Sequence, residues 1–241
     1  VLSINKGTSS FLSRIYNAIE FDFIQQNSES LNYNDFSKQN FIILNELDNI
    51  PESLVVAIKS FSDNGGTALV IPSNNASIEQ YNSLLSKLQL GAFSILNNQE
   101  KKITQIVFNH PLFSDVFEKR VVNFQYPKVN SYYAISTNQP AVLKFEDAQP
   151  FIIQNSNNFT FTAAINTINS NFQSSPLIVP TLYNMAKQSL PLPKLYYEIG
   201  KQNQYSIPVS LEQDEILKIS DSSFSYIPLQ QTKANQVNIT T

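Results

Sequence analysis

The stretch from Asn40 to Pro72 constrains this chain more than any other. It runs Asn-Phe-Ile-Ile-Leu-Asn-Glu, then a segment opened by Pro51, then Asn64-Gly65-Gly66, then Thr-Ala-Leu-Val-Ile-Pro. Phe41 to Leu44 and Ala68 to Ile71 are short continuous apolar runs. Such runs suit strands covered on both faces, as in parallel sheets flanked by helices. Between them Leu54, Val55, Ile58 and Phe61 recur at helical spacing and form one apolar stripe. Pro51 fits the first helical position, where no N–H is needed. Asn64-Gly65 supplies a left-handed stop. The stretch therefore predicts a strand, a helix and a parallel strand.

The same alternation extends to either side. Val1–Ile4 reads as a strand. Gly7-Thr8-Ser9 caps a helix whose stripe is Phe11, Leu12, Ile15, Tyr16 and Ile19, running through Glu20. Phe21, Phe23 and Ile24 read as the next strand, Gln26 to Ser30 as polar loop, and Leu31 to Gln39 as a connector with one helical turn. Ser77-Ile-Glu-Gln80 is a capping box opening a helix with Ile78, Tyr81, Leu84, Leu85 and Leu88 on one face, ended by Gly91. Four strands alternating with three helices predict a doubly wound, mainly parallel sheet.

Beyond residue 92 the pattern changes. Ile103–Phe108 reads as a strand, and Phe113, Val116 and Phe117 suit a short helix. Val121–Phe124, Tyr132–Ser136, Ala141–Phe145, Phe151–Gln154 and Phe159–Ala164 read as strands, some of which extend the sheet in antiparallel fashion. Ser175-Pro176 opens a last helix, which Pro180 must kink or delay. Pro191-Leu-Pro193 marks a boundary. After it Tyr196–Ile199, Tyr205–Val209, Ile216–Ile219 and Phe224–Ile227 are strand-sized, and Gln231–Thr241 is a polar tail without a closing element. The expected organisation is an α/β domain over 1–190 and the start of a β module over 194–241.

With 241 residues and 42% hydrophobic side chains, the chain can bury a core without staples. The absence of cysteine removes thiol nucleophiles, thiolate metal sites and disulfides together. A net charge of −3, with no Lys/Arg-rich run, argues against nucleic acid as a partner. No apolar run reaches the about 18 residues that a membrane span needs. No signal peptide pattern is present, and a strand beginning at the first residue suggests a piece cut from a longer protein.

Candidate chemistry is sparse. His110, the one histidine, stands at a strand-to-turn junction in Asn-His-Pro-Leu-Phe, where capping the turn is favoured over general-base work. One imidazole does not make a metal site, and no metal or cofactor is expected. Ser73 follows a strand as a nucleophile does. Its setting, Ile71-Pro72-Ser73-Asn74-Asn75, lacks the small residues of a nucleophile elbow. Gly65-Gly66 precedes a strand, the wrong order for a phosphate loop, and Lys6-Gly7-Thr8 reads as an ordinary cap. Asn45, Glu46 and Asp48 follow the strand Phe41–Leu44 and project from the sheet's carboxyl edge, where open α/β sheets bind ligands. A solvated loop or helix cap is favoured there over a ligand contact. Asn45, Glu46, Ser73, Asn74 and His110 make up the candidate pocket, with no catalytic residue assigned. The aromatic segment Phe124-Gln-Tyr126-Pro127 with Tyr132-Tyr133 reads as sheet packing rather than a recognition surface.

Phe-Ile-Ile-Leu-Asn-Glu (41–46), Ile50-Pro51, Phe61…Gly65-Gly66 with Ala-Leu-Val-Ile-Pro, Asn109-His-Pro-Leu-Phe113 and Asn171-Phe…Ser175-Pro-Leu-Ile-Val-Pro-Thr-Leu-Tyr183 carry a family resemblance. Over about residues 1–190 the chain resembles the extracytoplasmic region of bacterial Bat-type (aerotolerance-regulator) membrane proteins with an N-terminal double-transmembrane segment. That region is similar to class I glutamine amidotransferases. The resemblance implies an amidotransferase-like fold whose cysteine nucleophile is absent. It implies a non-catalytic periplasmic binding or interaction domain, anchored by segments outside this sequence and partnered by other envelope proteins. Two alternatives accompany it. One is a cryptic hydrolase or transferase using Ser73 and His110. The other is a carbohydrate-binding accessory domain of the kind that accompanies glycosidases.

Overall fold

A computed structural model of the chain describes residues 1–114, 116–117, 125–190, 197–207, 209, 211–212, 215–233 and 236–241. Two compact units are present, Val1–Pro191 and Leu192–Thr241. In the first, β1 (Leu2–Asn5), α1 (Ser10–Ile15), β2 (Ile24–Asn27), a 3-10 turn (Tyr33–Lys38), β3 (Phe41–Leu47), α2 (Glu52–Asp63), β4 (Thr67–Pro72) and α3 (Ile78–Lys87) follow one another. Then come β5 (Ala92–Asn97), β6 (Lys101–Ile106), a 3-10 turn (Pro111–Phe113), β7 (Lys128–Val129), β8 (Tyr132–Ser136), β9 (Ala141–Phe145), β10 (Pro150–Asn155), β11 (Asn158–Phe161) and α4 (Ile178–Gln188).

Nine strands form one sheet in the order β2-β1-β3-β4-β11-β10-β9-β6-β7. The first five are mutually parallel. From β11 onward each pairing is antiparallel. The strand alternation divides the core between the two faces. Phe41, Ile43, Leu69 and Ile71 pack with Phe11, Leu12 and Ile15 of α1 and Leu182 and Met185 of α4. Ile42, Leu44, Ala68 and Val70 pack with Leu54, Val55 and Ile58 of α2 and Leu84 and Leu85 of α3. Every residue from Phe41 to Leu44 is fully buried. Burying such a side chain contributes roughly 1.5–3 kcal/mol, which explains why both faces of β3 are apolar.

Several local expectations change. α1 stops at Ile15 rather than Glu20. Asn17 takes over the chain: its side chain accepts from Ile19 N and its carbonyl from Phe21 N, and Ile19 is left exposed. Local side-chain bonds of this kind compete with helix. Phe21 and Phe23 pack on the Tyr16 ring at 5.3 and 5.5 Å, so β2 begins only at Ile24 and takes in Gln26 and Asn27, expected as loop. The capping box at Ser77 does not form; Gln80 Oε1 instead accepts from Ile50 N at 2.7 Å, tying α3 to the β3–α2 link. Pro51 is the N-cap of α2 rather than its first helical residue. Gln89 (φ 55°), not Gly91, takes the left-handed position after α3, with Leu90 N donating to Leu85 O. β5 was not expected from the sequence. It pairs with β8 alone, outside the main sheet. Tyr132 and Tyr133 are buried, as sheet packing requires. α4 starts at Ile178 rather than at Ser175, and Pro180 lies in its first turn, where a missing N–H costs no intrahelical bond. The expected strand Val121–Phe124 and the Pro191-Leu192-Pro193 boundary lie outside the described residues.

In the second unit, β12 (Gln204–Ile207), β13 (Ile219–Ser220), β14 (Ser225–Tyr226), β15 (Leu229–Lys233) and β16 (Gln236–Thr240) are all antiparallel. β16 is central in the order β12-β16-β15. The tail read as lacking a closing element therefore supplies the middle strand and a neighbour. Val237 and Ile239 are its buried alternate positions. No strand forms over 197–199.

Candidate functional site

The parallel strands β1, β3, β4 and β11 deliver their last residues to one edge. At that edge β3 carries a bulge: its register against β4 shifts between Asn45 and Leu47. Glu46, the extra residue, sits at φ 53°. A left-handed conformation at a non-glycine residue costs of order 1 kcal/mol and needs a compensating contact. The contact is the loop after β11. Glu46 Oε1 accepts from Ile165 N and Asn166 N, both at 2.7 Å, and Oε2 from Asn166 Nδ2 at 2.8 Å. Burial pushes the Glu46 carboxyl above its usual range, against the opposing pull of these three hydrogen bonds. Glu46 is thus neither a solvated loop group nor a helix cap, but an internal anchor.

Asn166 passes the bond on. Its Nδ2 also donates to Asn74 Oδ1 at 3.1 Å, and Asn74 Nδ2 donates to Ser131 Oγ at 2.8 Å. Ser131 Oγ donates to Asn169 Oδ1 at 2.8 Å, and Asn169 N donates to Asn166 Oδ1 at 3.0 Å, which closes a ring. On the β1 side, Asn45 Nδ2 donates to Asn5 Oδ1 at 2.9 Å, and Asn5 Nδ2 to Gln25 Oε1 at 3.1 Å. Asn45 Oδ1 and the nearby Ser9 Oγ are buried without a hydrogen-bond partner among the described residues.

Ser73 lies just past β4. Its hydroxyl donates to Asp48 Oδ1 at 2.7 Å and accepts from Asn75 N at 3.1 Å. Tyr133 Oη donates to Ser73 O at 2.9 Å and fixes the turn. Asp48 is also paired with Lys6. Lys6, and then the Ser73 hydroxyl, hold the Asp48 carboxyl below its usual range. A serine donating to a carboxylate, with no imidazole beside it, is an oriented hydroxyl rather than an activated nucleophile.

His110 is elsewhere. β6 runs antiparallel to β9, β9 to β10 and β10 to β11, so β6 runs opposite to β4. His110, after β6, therefore stands at the amino edge, with three strands between β6 and β4. Its Nδ1 accepts from Leu112 N at 3.2 Å and caps the turn Pro111–Phe113. Burial lowers its pKa. The structure thus brings Asn45, Glu46, Ser73 and Asn74 to one edge and leaves His110 out. The sequence reading missed Asn5, Ser131, Asn166 and Asn169, which complete the network. Their amide and hydroxyl side chains carry no pattern that separates them from ordinary surface polars.

Among the described residues no three His, Asp or Glu side chains converge as metal ligands. No described helix is long and apolar enough to cross a membrane.

Neither a protein-family profile nor a curated protein matches the chain. Solved structures do, by fold. A ThuA-like protein from Bacteroides uniformis superposes with a TM-score of 0.54 at 12% identity, over 78% of this chain and 89% of its own. The N-terminal domain of mmIFT52 gives 0.57 at 12% identity, over 78% and 96%. The cold-adapted β-galactosidase of Rahnella sp. R3 gives 0.56 at 12% identity, over all of this chain and 40% of its own. The psychrophilic Marinomonas ef1 β-galactosidase gives 0.51 at 13% identity, over 99% and 37%. The chain spans less than half the length of these β-galactosidases. At such identities the likeness is one of fold, and it agrees with the strand order: the chain is a doubly wound, flavodoxin-like α/β protein with an antiparallel extension and a C-terminal β segment.

Proposed function

We propose that this chain is a non-catalytic binding or interaction domain, working in the periplasm as part of a membrane-anchored envelope protein whose partners are other envelope proteins. One observation carries the non-catalytic part. At the carboxyl edge the groups capable of chemistry are engaged internally: Glu46 by Ile165 and Asn166, Ser73 by Asp48, and Asp48 by Lys6. General-base or nucleophilic work needs a group free to reach a substrate proton or carbon. The Ser73–His110 alternative needs its two side chains within hydrogen-bond reach, and they stand at opposite edges of the sheet. The compartment and the anchor rest on the resemblance to Bat-type extracytoplasmic regions.

A second reading, a carbohydrate-binding accessory domain, is favoured by the fold likeness to β-galactosidases. It keeps the non-catalytic character and changes the partner from protein to glycan.

The test is an assay of the purified protein against ester, amide and glycoside reporter substrates, with Ser73→Ala alongside. The expected result is no turnover above the background of the variant. A turnover present in the native protein and abolished in Ser73→Ala overturns the proposal.

A further inference from the structure

At the carboxyl edge the amide side chains bond to one another, whereas one stretch of the opposite edge carries polar side chains without such bonds. Where the link from α3 to β5 passes the link from β8 to β9, a cleft of about 440 Å³ opens. Asn155, at the end of β10, donates to Leu88 O at 3.0 Å and places the C-terminus of α3 at the amino edge. Its polar lining residues are Ser86, Gln89, Ser136, Thr137, Asn138 and Gln139, with Gly91 and Ala92 between them. Thr137 Oγ1 accepts from Gln139 N; the side chains of the other five have no hydrogen-bond partner among the described residues, in contrast to the amides of the Glu46 network. No charged side chain lines the cleft.

Its walls are set by the backbone. Gly91 has φ +117°, and a Cβ there would lie 2.5 Å from Ser136 O and 2.8 Å from Thr137 Cβ, so the two links run in close contact. Gln89, at φ 55°, is held by its N–H to Ser86 O. Gln139 N donates to Thr137 Oγ1 at 3.0 Å and orders the other wall. The free side chains are therefore mounted on fixed backbone.

The lining selects a ligand class by exclusion. Anions find no cation and face the negative end of the α3 dipole. Cations find no carboxylate. Apolar ligands would strip water from amides and hydroxyls without replacing its hydrogen bonds. Amide and hydroxyl groups both donate and accept, which matches a ligand whose own groups do both. The depression is open, with Ser86, Gln89, Ser136 and Asn138 exposed, so a ligand would lie along it rather than be enclosed.

We infer that this cleft binds an uncharged, hydroxyl-rich ligand, a neutral glycan of about two sugar rings. The inference rests on the carbohydrate-binding reading and gives it a site and an uncharged ligand.

The experiment is amide-resolved NMR of the whole chain titrated with lactose, cellobiose and N,N′-diacetylchitobiose, and with digalacturonic acid as the charged counterpart. A neutral disaccharide should shift the amides of 86–92 and 136–139. The double variant Gln89→Ala/Asn138→Ala should weaken that binding by about tenfold or more. Both side chains are exposed and unengaged, so the spectrum of the rest of the fold should not change. Absence of shifts with all three neutral sugars, shifts confined to the Asn74–Asn166 edge, or tighter binding of the uronate would each overturn the cleft assignment. Cleavage of a sugar bound at the cleft would leave the site standing and overturn the non-catalytic reading instead.

Discussion

Glu46, partly buried, and His110, buried, are titratable groups whose effects on stability run in opposite directions with pH. The folded chain raises the Glu46 pKa above its ordinary 4.5, so the native state holds that proton more tightly than the unfolded chain. Stability therefore falls as pH rises from about 4.5 through the raised value, and is regained on acidification. The folded chain lowers the His110 pKa below its ordinary 6.5, because burial disfavours the imidazolium and Nδ1 must keep its lone pair for Leu112 N. Stability is lost as pH falls from 6.5 through the lowered value. His110→Asn keeps a capping acceptor and removes the titration. In urea unfolding at a series of pH values, this variant should lose the decline below pH 6.5. Glu46→Gln keeps an acceptor for Ile165 N and Asn166 N and should lose the opposing slope at lower pH. Glu46→Ala leaves two partly buried N–H groups unpaired and should cost about 1–3 kcal/mol. A Glu46→Ala protein as stable as the native one would refute the anchoring role.

At the scale of elements, the turn from α2 into β4 separates two glycines that look alike in sequence. Gly65 takes φ +90° with open space around it, so its requirement is conformational. Gly66 needs no unusual φ; a Cβ there would lie 2.3 Å from the Phe61 ring, which folds back over it. Gly65→Ala should cost about 1 kcal/mol. Gly66→Ala should cost more, about 1–3 kcal/mol, because a buried ring must move. Phe61→Leu should partly rescue Gly66→Ala and not Gly65→Ala, a difference readable in a double-mutant cycle by thermal or urea unfolding. The helix stop was legible because Asn-Gly has a conformational signature; the ring contact was not, because it depends on a side chain's direction. The same division runs through the fold. The continuous apolar runs at 41–44 and 68–71 mark strands buried on two faces, and those strands form as expected. The misses at Asn17, Ser77 and Gln89 are positions where a capping bond chose a partner that spacing does not reveal. β5 was invisible because Ala-Phe-Ser-Ile-Leu-Asn buries Phe93, half-buries Leu96 and exposes Ala92 and Ile95, which leaves no clean alternation.

On the scale of the whole molecule, the direction of travel of the chain decided what the candidate site was. The sequence located the carboxyl edge, since β3 and β4 end there, but could not place β6, whose orientation follows from three successive antiparallel pairings. That reversal carries His110 to the far edge. The second unit is where the chain's stability should be unevenly shared. Its buried hydrophobic side chains among the described residues are Val237 and Ile239, while Phe224, Tyr226, Ile227 and Leu229 remain exposed. A unit of this size with so small a core is marginal on area alone. Val237→Ala removes about 2 kcal/mol of buried side chain from the central strand β16, a large fraction of what such a core supplies. Hydrogen exchange should then show protection lost across β12, β15 and β16 and retained in β3 and β4, whose neighbours on both faces belong to the first unit. Protection falling in β3 and β4 to the same degree would refute the separate loss expected for the second unit.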